Sequence, residues 1–391
     1  MSPSLRVAHV VTTAGPDPAL GGPLRVALDQ ARELRSRGHD VTLVGGWDDR
    51  APGPVELEGV PTVLAPVRVL VSKYAMSSRM SRQVVQELRR CARTSDVVHV
   101  HLGRDAVPLV AAIEAHRART PYVAQTHGMI AADSRLAVRA VDAMATRRAL
   151  SRATHRLVLT DDEARDLRAI VPEPTTLLRN GIPIPSGPLR GRPSGSGPPE
   201  VLFFGRLHPN KQPLVFARSA VDLHRQGIDA RFVIVGPDHG ELDHLQRFIA
   251  EHQAQAYLRY EGVTPISQSR ERLSRADVFV QPTLNEPFGL SALQAMAEGV
   301  PSIVTTGFVI APEIKADAGA LVVEPTTQGV SAGIRALLGN TDEREELARR
   351  GYEMVRSKFS MPAVVDQLEG IYEEALNIGR PLPGGSSSGH P

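Results

Sequence analysis

The feature that most constrains the fold is an alternation of apolar, strand-like runs with amphipathic helical segments. RVAHVVT (residues 6–12) is a continuous apolar run, residues 23–39 place apolar side chains at helical spacing, and residues 40–46 return to a strand pattern. The same criteria predict strands at 96–102, 121–127 and 155–160, with helices at 79–93, 105–118, 136–151 and 161–170. This strand–helix rhythm predicts a parallel sheet with helices on both faces.

The rhythm stops at residues 185–200, PSGPLRGRPSGSGPPE, whose Pro, Gly and Ser content without periodicity is typical of a linker. It then restarts, with strands predicted at 201–207, 231–237, 258–263, 277–283, 302–306 and 319–325. We therefore predict an α/β protein with an N-terminal domain (1–184), a linker (185–200), a second domain (201–361) and a disordered tail (380–391). Two such domains would place a ligand cleft between the carboxyl ends of their sheets.

Composition narrows the functional classes. The chain has 391 residues, 42% hydrophobic content and a net charge of +2, which gives no electrostatic reason to expect a nucleic acid partner. Its single cysteine, Cys91, excludes an internal disulfide framework. No apolar run reaches 18 residues, and the apolar stretch at the N-terminus is too short for a secretory signal. We expect a cytoplasmic protein, and the sequence contains no signal for an oligomer.

Several familiar motifs are missing, including GxxxxGK[ST], HExxH, CxxC, Asp-x-Asp, a GxSxG elbow between a strand and a helix, and a GxGxxG after the first strand. The candidates that remain follow predicted strands. Gly21 and Gly22 precede a helix, where backbone can approach an anion, although a plain tight turn is an equal alternative. Arg206 and Lys211, in GRLHPNK (205–211), could grip a diphosphate, or they could simply belong to a solvated basic loop.

Histidines form a second group of candidates. His127 ends the strand that precedes Gly128. A lone histidine is more often a structural residue than a catalytic one, but a position at the end of a strand makes a role in a site more plausible. His99 and His101 alternate along one strand face, and we interpret them as packing or cleft-lining residues because no third metal ligand is evident nearby. We therefore predict no metal site.

The third candidate is the segment NEPFGLSALQAMAEG (285–299). Apolar residues at helical spacing predict a mostly buried helix; they are Leu290, Leu293, Met296 and Ala297. Its first turn would offer the unpaired N–H groups of Phe288, Gly289 and Leu290 to an anionic ligand. Glu286 lies just before the helix and could accept hydrogen bonds from sugar hydroxyls, or act only as a partner of the helix dipole.

These segments resemble the retaining glycosyltransferases of family 4. The stretches that carry the resemblance cover nearly the whole chain in the right order; they are residues 21–44, 96–102, 126–128, 180–182, 203–213 and 285–306, with a late GALVVEP pattern. The resemblance implies the GT-B architecture, in which two doubly wound Rossmann-like domains face each other across a cleft. It also implies that a C-terminal helix (362–379) crosses back to the first domain.

The resemblance implies roles for the donor-side residues. Arg206 and Lys211 match the pair that binds the donor's diphosphate. The backbone donors to sugar and phosphate match Phe288, Gly289 and Leu290, and Gly22 matches a glycine-rich loop facing the phosphates.

The two acids of the family's E-x7-E signature fall on positions 286 and 294. Glu286 matches the first acid, which contacts the transferred sugar, and His127 matches a histidine near the reacting sugar. The second acid, which binds ribose hydroxyls, is replaced here by Gln294, so the site loses a charge-assisted hydrogen bond. The family's glycine-rich stretch near 307–313 is also altered and reads GFVIAPE.

The implied activity is retaining transfer of a hexose from a nucleotide-diphosphate sugar to an acceptor hydroxyl, without a metal or another cofactor. A nucleotide-sugar epimerase of similar fold and a non-catalytic nucleotide-sugar binder are the alternatives. The sequence identifies neither the donor nor the acceptor. The basic segment 77–93 suits weak peripheral association with the inner face of a membrane, or an acidic acceptor, or a docked helix with a solvated basic face.

Overall fold

The computed structural model describes residues 3–15, 22–48, 51–71, 77–131, 135–184, 197–265 and 268–379. Gly21, residues 185–196 of the predicted linker and the tail 380–391 lie outside the described residues. The chain divides into two compact units. The first unit comprises Met1–Gly181 with Met361–Pro391, and the second unit comprises Ile182–Ser360.

The first unit contains a sheet and a small hairpin. Its strands are β1 (Arg6–Ala14), β2 (Asp40–Trp47), β3 (Glu56–Leu57), β4 (Val60–Pro66), β5 (Arg68–Val69), β6 (Arg79–Met80), β7 (Val97–His101), β8 (Tyr122–Gln125), β9 (His155–Val158) and β10 (Thr176–Leu177). In the described residues, eight of them form one sheet in the order β10-β9-β8-β7-β1-β2-β4-β3. Only the β3–β4 pair is antiparallel among these pairings, so the predicted parallel sheet is confirmed.

Helices cover both faces of this sheet. They are α1 (Gly22–Ser36), α2 (Arg82–Thr94), α3 (Ala106–Ala118), α4 (Leu136–Val141), α5 (Arg147–Arg152), α6 (Asp161–Arg168) and, at the end of the chain, α14 (Met361–Gly379). One core cluster gathers α2 and α3, while a second gathers α1 and α14. The last helix is tied to the first unit by buried apolar residues such as Val365, Leu368 and Tyr372, which pack in the cluster that holds Val7 and Leu34.

The second unit repeats the architecture with a smaller sheet. Its strands are β11 (Glu200–Phe204), β12 (Arg231–Val235), β13 (Leu258–Tyr260), β14 (Val278–Gln281), β15 (Ser302–Thr305) and β16 (Leu321–Val323), in the order β13-β12-β11-β14-β15-β16. Its helices are α7 (Pro213–Arg225), α8 (Leu242–Glu251), α9 (Ser269–Ser274), α10 (Leu290–Ala297), α11 (Ala311–Ala316), α12 (Thr327–Gly339) and α13 (Thr341–Met354). The recorded strand pairs are parallel. The chain is thus an α/β protein with two Rossmann-like units.

β4, which pairs with β2 and extends the first sheet, is not among the predicted strands. The run VPTVLAP carries Pro61 and Pro66, and proline removes a backbone donor, so the pattern does not indicate a strand inside a sheet. Here Pro61 lies opposite Glu56 of the short antiparallel β3, near the edge of the sheet.

The basic segment of the first unit is a docked helix. Val84 and Leu88 of α2 are buried in the core, and Arg89 pairs with Glu114 of α3 at 3.0 Å. This arrangement favours the interpretation of 77–93 as a packed helix with a solvated basic face. In the part of the chain described here, no helix combines the length and the apolar character that a bilayer crossing requires.

Candidate active site

In the second unit, the loop after β11 carries both predicted diphosphate-binding cations. Leu207 is fully buried and anchors the loop, while the preceding Arg206 is exposed. Lys211 ends a single 3₁₀ turn (Pro209–Lys211). His208 caps the turn, and its Nδ1 accepts from Asn210 N at 3.1 Å. The Lys211 side chain is only 15% exposed. One cation therefore faces solvent, and the other is largely withdrawn from it.

Lys211 lies against Glu286, with its Nζ in direct contact with Oε2 of the carboxylate. Burial, helped by the positive charge of Arg206, lowers the pKa of Lys211 to about 8. The contact with Glu286 opposes that shift, because a nearby carboxylate favours the ammonium form. The Glu286 side chain is 12% exposed, so this is a largely desolvated ion pair.

The other carboxylate oxygen of Glu286 caps the start of α10. Oε1 accepts hydrogen bonds from Gly289 N at 3.0 Å and from Phe288 N at 3.5 Å, while Gln281 donates to Oε2 at 3.3 Å. The prediction that Phe288 and Gly289 offer unpaired N–H groups is therefore wrong for this structure. The physical reason is that an acid placed just before a helix can fold back onto the positive end of the helix dipole.

Gly289 is required by its backbone and by its packing. Its φ of +76° lies in the left-handed region, and a Cβ there would sit 2.2 Å from Cε1 of Phe308. The predicted helix is mostly buried, with Leu293 and Met296 fully buried, but Leu290 itself is 43% exposed. The helix begins at Leu290, so the core covers only the turns that follow.

Asn210 joins the two loops and was not singled out by the sequence analysis. Its carbonyl oxygen accepts from Leu284 N at 2.9 Å and from Thr283 Oγ1 at 2.8 Å, and its Oδ1 accepts from Asn285 N at 3.1 Å. These bonds bring the loop of Lys211 to the loop of Glu286. The only sequence signal was an asparagine between Pro209 and Lys211, a residue type that favours turns.

Gln294 lies on α10, partly buried between the buried Leu293 and Ala295. It shares this helix with Leu290, and Gly289 lies just before the helix begins. Position 294 therefore lies on the helix whose start Glu286 caps, which is consistent with the resemblance. The E-x7-E role of the two positions stays a prediction.

In the first unit, His127 follows β8 with a φ of +53°, a left-handed conformation that a histidine does not adopt without support. The support is Glu163 of α6, which is buried. Its Oε1 accepts from Thr126 Oγ1 and from Gly128 N, each at 2.5 Å, and its Oε2 accepts from Leu159 N at 2.6 Å. Glu163 thus clamps the loop on both sides of His127.

Glu163 was also missed by the sequence analysis. The signal was present as TDDE (160–163), an N-cap threonine followed three residues later by a glutamate. Thr160 does accept from Glu163 N at 3.2 Å, but the glutamate side chain reaches the His127 loop as well as the start of its own helix. Sequence spacing could predict the cap but not this long-range contact.

The ring of His127 touches a buried cluster of histidines. His101 Nδ1 lies 2.8 Å from His127 Nε2, and His9 Nδ1 lies 3.0 Å from His101 Nε2. The premise that no third residue accompanies His99 and His101 is wrong, because His9 on β1 brings a ring nitrogen within 4.8 Å of ligand atoms on both. Burial lowers the pKa of His9 and of His127 to about 3.

Burial likewise holds the pKa of His99 and of His101 well below the ordinary histidine value. All four rings are therefore neutral at neutral pH.

Gly22 is the exposed first residue of α1, and a Cβ there would meet no atom within 4 Å, so packing does not require a glycine at this position.

Comparison with known proteins matches each of the two units to a glycosyltransferase domain family. Residues 21–181 match the glycosyl transferase 4-like domain, and residues 190–354 match the glycosyl transferases group 1 domain. Together the two matches run over most of the chain.

Similar curated proteins and solved structures agree with these domain matches. The chain is 26% identical to a glycogen synthase of Mycobacterium tuberculosis over 286 residues, which cover 71% of this chain and 68% of the relative. It is 24% identical over 388 residues to the GDP-mannose:cellobiosyl-diphosphopolyprenol alpha-mannosyltransferase of Xanthomonas oryzae, covering 96% of this chain and 98% of that one.

The fold is also that of Anabaena Alr3699/HepE, solved in complex with UDP, with a TM-score of 0.71, 18% identity and coverage of 94% of this chain and 100% of that chain. The chain is therefore a GT-B glycosyltransferase that combines a glycosyl transferase 4-like domain with a group 1 domain.

Proposed function

We propose that this glycosyltransferase moves a hexosyl group from a nucleotide-diphosphate sugar to an acceptor hydroxyl with retention of anomeric configuration and without a metal. The observation that carries the proposal is the desolvated Lys211–Glu286 pair, which lies on loops at the carboxyl ends of strands with Arg206 beside it. Open parallel sheets bind ligands at this edge.

The cations act on the leaving group. Cleavage of a sugar–phosphate bond places negative charge on the diphosphate, and preorganised positive groups stabilise that charge as it develops. Arg206 provides a planar, forked donor, and Lys211 provides a compact charge. A pKa of about 8 keeps most Lys211 side chains protonated at neutral pH, and a bound diphosphate would raise that pKa further.

Glu286 changes partner when the donor binds. Without ligand it divides its oxygens between Lys211 and the start of α10. A diphosphate that attracts Lys211 would release Oε2 to accept a hydrogen bond from a sugar hydroxyl, while Oε1 keeps the loop in place. Gln294 would then bind the ribose through its amide, at the position where the resembling family has a carboxylate.

His127 contacts the transferred sugar, and the acceptor hydroxyl attacks on the face from which the diphosphate departs. This route passes through an oxocarbenium-like state and needs no covalent intermediate on the enzyme. The acceptor is a saccharide, a lipid-linked glycan or a small natural product. A nucleotide-sugar donor is supported by the GDP-mannose in the name of the Xanthomonas relative and by the UDP bound in the Anabaena structure.

A thermal-shift panel of UDP, GDP and ADP, with their glucose and mannose conjugates, identifies the donor first. A ligand that binds only the folded state at about 100 times its dissociation constant stabilises that state by about 2.7 kcal/mol. NMR of the product then gives the anomeric configuration, and a retained configuration supports the proposal. An inverted product would overturn it.

The same experiment separates the alternatives. An isomerised donor sugar without any acceptor would identify an epimerase. Tight donor binding with neither hydrolysis nor transfer to any acceptor would identify a nucleotide-sugar binder, the alternative that Gln294 favours.

A further inference from the structure

A chain of hydrogen bonds leads away from the partly buried His127 into the core of the first unit. It runs from His127 to His101 (2.8 Å), from His101 to His9 (3.0 Å) and from His9 to the hydroxyl of Tyr372 (3.2 Å). Tyr372 lies on α14, so the last helix of the chain contributes a polar group to the cluster around the candidate site.

The chain continues on the far side of Tyr372. The hydroxyl lies 2.7 Å from His99 Nδ1, and His99 Nε2 lies 3.1 Å from Gln125 Oε1. Gln30 of α1 donates to the same amide oxygen at 3.4 Å. Both ring nitrogens of His9, His99 and His101 therefore have partners within the protein.

The Gln125 amide is oriented with Oε1 facing both His99 Nε2 and Gln30 Nε2, and this orientation gives the direction of every bond. The opposite amide orientation would reverse all of them. An amide oxygen can only accept, so His99 must carry its proton on Nε2. His99 Nδ1 is then an acceptor and takes the proton of the Tyr372 hydroxyl. Because that single proton is used, the tyrosine oxygen can only accept from His9, which must be protonated on Nε2.

The same reasoning continues to the site. With its proton on Nε2, His9 accepts at Nδ1 from His101 Nε2–H, and His101 in turn accepts at Nδ1 from His127 Nε2–H. The rings are neutral because burial holds the pKa of each far below its ordinary value. A neutral imidazole has one proton, so His127 Nδ1 has none.

We propose that Tyr372, His99, His9 and His101 are positioning residues that hold His127 in its Nε2–H tautomer, so that Nδ1 is presented to the substrate as a hydrogen-bond acceptor. This deepens the proposed function and depends on it for the contact between His127 and the sugar. A sugar hydroxyl that donates to Nδ1 meets a ring whose tautomer is fixed before binding.

The three central histidines also have the composition of a metal site, since their ligand atoms lie within 4.8 Å of one another. The hydrogen-bond pairing argues for the network, because each of their ring nitrogens already has a partner in the protein and no carboxylate takes part in these bonds. A 2+ charge would have to be accommodated by neutral groups in the core, which is costly.

The direct test is the ¹⁵N spectrum of the full-length protein labelled at histidine, with signals assigned by single substitutions. The proposal predicts the Nε2–H tautomer for all four rings at pH 7. An Nδ1–H tautomer at His127 would overturn it. A shift of the His9, His99 and His101 signals on addition of Zn²⁺ would also overturn it, because it would show that the cluster binds metal.

Tyr372→Phe breaks the chain at its centre and keeps the ring. We expect His127 to show a mixture of tautomers and kcat to fall about fivefold, the factor that one ordinary hydrogen bond is worth, while the KM for the donor changes less than twofold. The control is Tyr122→Phe, which removes a buried hydroxyl that donates to Ala149 O at 2.5 Å and is outside the chain. It should leave the tautomer of His127 and kcat unchanged.

Failure of this inference differs from failure of the proposed function. If His127→Ala retains wild-type transfer, then His127 does not contact the reacting sugar, whatever its tautomer. If His127→Ala abolishes transfer while Tyr372→Phe leaves both the tautomer and kcat unchanged, the positioning role alone is wrong. The tautomers are determined in the wild-type protein, and a ring whose substitution fails to fold is assigned from its connectivity to the backbone, so such a variant cannot leave the inference undecided.

Discussion

The carboxyl ends of the two sheets use opposite chemistry on the same topology. In the first unit, His9, His99, His101 and His127 are neutral and hydrogen-bonded to one another or to uncharged groups. In the second unit, Lys211 and Glu286 keep their charges by pairing, next to the exposed Arg206. An imidazole avoids the cost of burial by losing a proton near neutral pH, whereas lysine and glutamate avoid it by making a contact.

Two glutamates show the same difference on a smaller scale. Glu163 and Glu286 each accept N–H bonds from a loop that carries a candidate site residue. Glu163 takes a third bond from the Thr126 hydroxyl and is enclosed, while Glu286 holds a lysine that a ligand could attract. The first arrangement fixes a conformation, and the second leaves a charge that can change partner.

The largest effect is expected from Lys211→Ala. It would leave the Glu286 carboxylate buried and unpaired, which costs about 3 kcal/mol, the lower end of the range for buried pairs because 12–15% of each side chain stays exposed. Transfer should also fall by a factor of about 10²–10³. Chemical denaturation and initial rates measure the two effects.

The matched control is Glu286→Gln in the Lys211→Ala background. It removes the unpaired charge and should recover most of the lost stability without recovering activity. A Lys211→Ala protein as stable as the wild type would show that pairing with Lys211 does not offset the cost of burying the Glu286 carboxylate in the second unit.

Arg206→Ala should reduce kcat by a similar factor, about 10²–10³, because a preorganised donor to the leaving group is lost. Stability should be unchanged, since Arg206 is exposed. Arg218→Ala, at an exposed position of α7, is the control and should be neutral in both assays. Normal turnover in Arg206→Ala would remove Arg206 from the proposed diphosphate site.

Acid should destabilise the first unit from about pH 6.5 downward. Above the unfolded pKa of about 6.5, the four histidines are neutral in both states and contribute nothing. Below it, the unfolded chain binds protons that the folded unit cannot, because the folded pKa values of His9 and His127 are about 3. The free energy of unfolding then falls by up to about 1.4 kcal/mol per pH unit for each histidine.

Trp47 is the only tryptophan and lies on β2, so its fluorescence reports the unfolding of the first unit. Circular dichroism reports both units and provides the comparison. Fluorescence-detected stability that stays constant from pH 7 to 5.5 would contradict neutral, buried histidines, since ordinary carboxylates titrate mainly below that range.

Gln294→Glu should have a smaller effect. A carboxylate makes hydrogen bonds about twice as strong as those of an amide, so donor affinity should rise several-fold if position 294 binds ribose hydroxyls. Isothermal titration with the best donor measures this, and Gln226→Glu, at the end of α7, is a control of the same chemistry away from the site. Unchanged or weaker binding would separate position 294 from the ribose.

EDTA is expected to have no effect on transfer, because the proposed mechanism places the positive charge on Arg206 and Lys211. Rates with and without the chelator, after dialysis, test this. A strict requirement for added metal would overturn the proposed means of stabilising the diphosphate.

Local pattern predicted much of the architecture. The alternation of strands and helices was visible because apolar periodicity is a property of neighbouring residues, and α1, α2 and α3 fall within a few residues of their predicted ranges. The strand-end positions of Arg206, Lys211 and His127 followed from the same rhythm. The predicted open helix start at Phe288 and Gly289 was wrong, because sequence spacing does not show where a glutamate side chain folds.

The sequence by itself determined which residues could act: cations after β11, an acid before α10 and a histidine after β8. Only the tertiary structure decided their partners and protonation. The Glu286 cap, the Asn210 link and the hydrogen bond between Tyr372 and His9, which are 363 residues apart, arise from packing. The physical reason is that pKa values, tautomers and charge pairing depend on desolvation and contact, and these exist only after distant segments have come together.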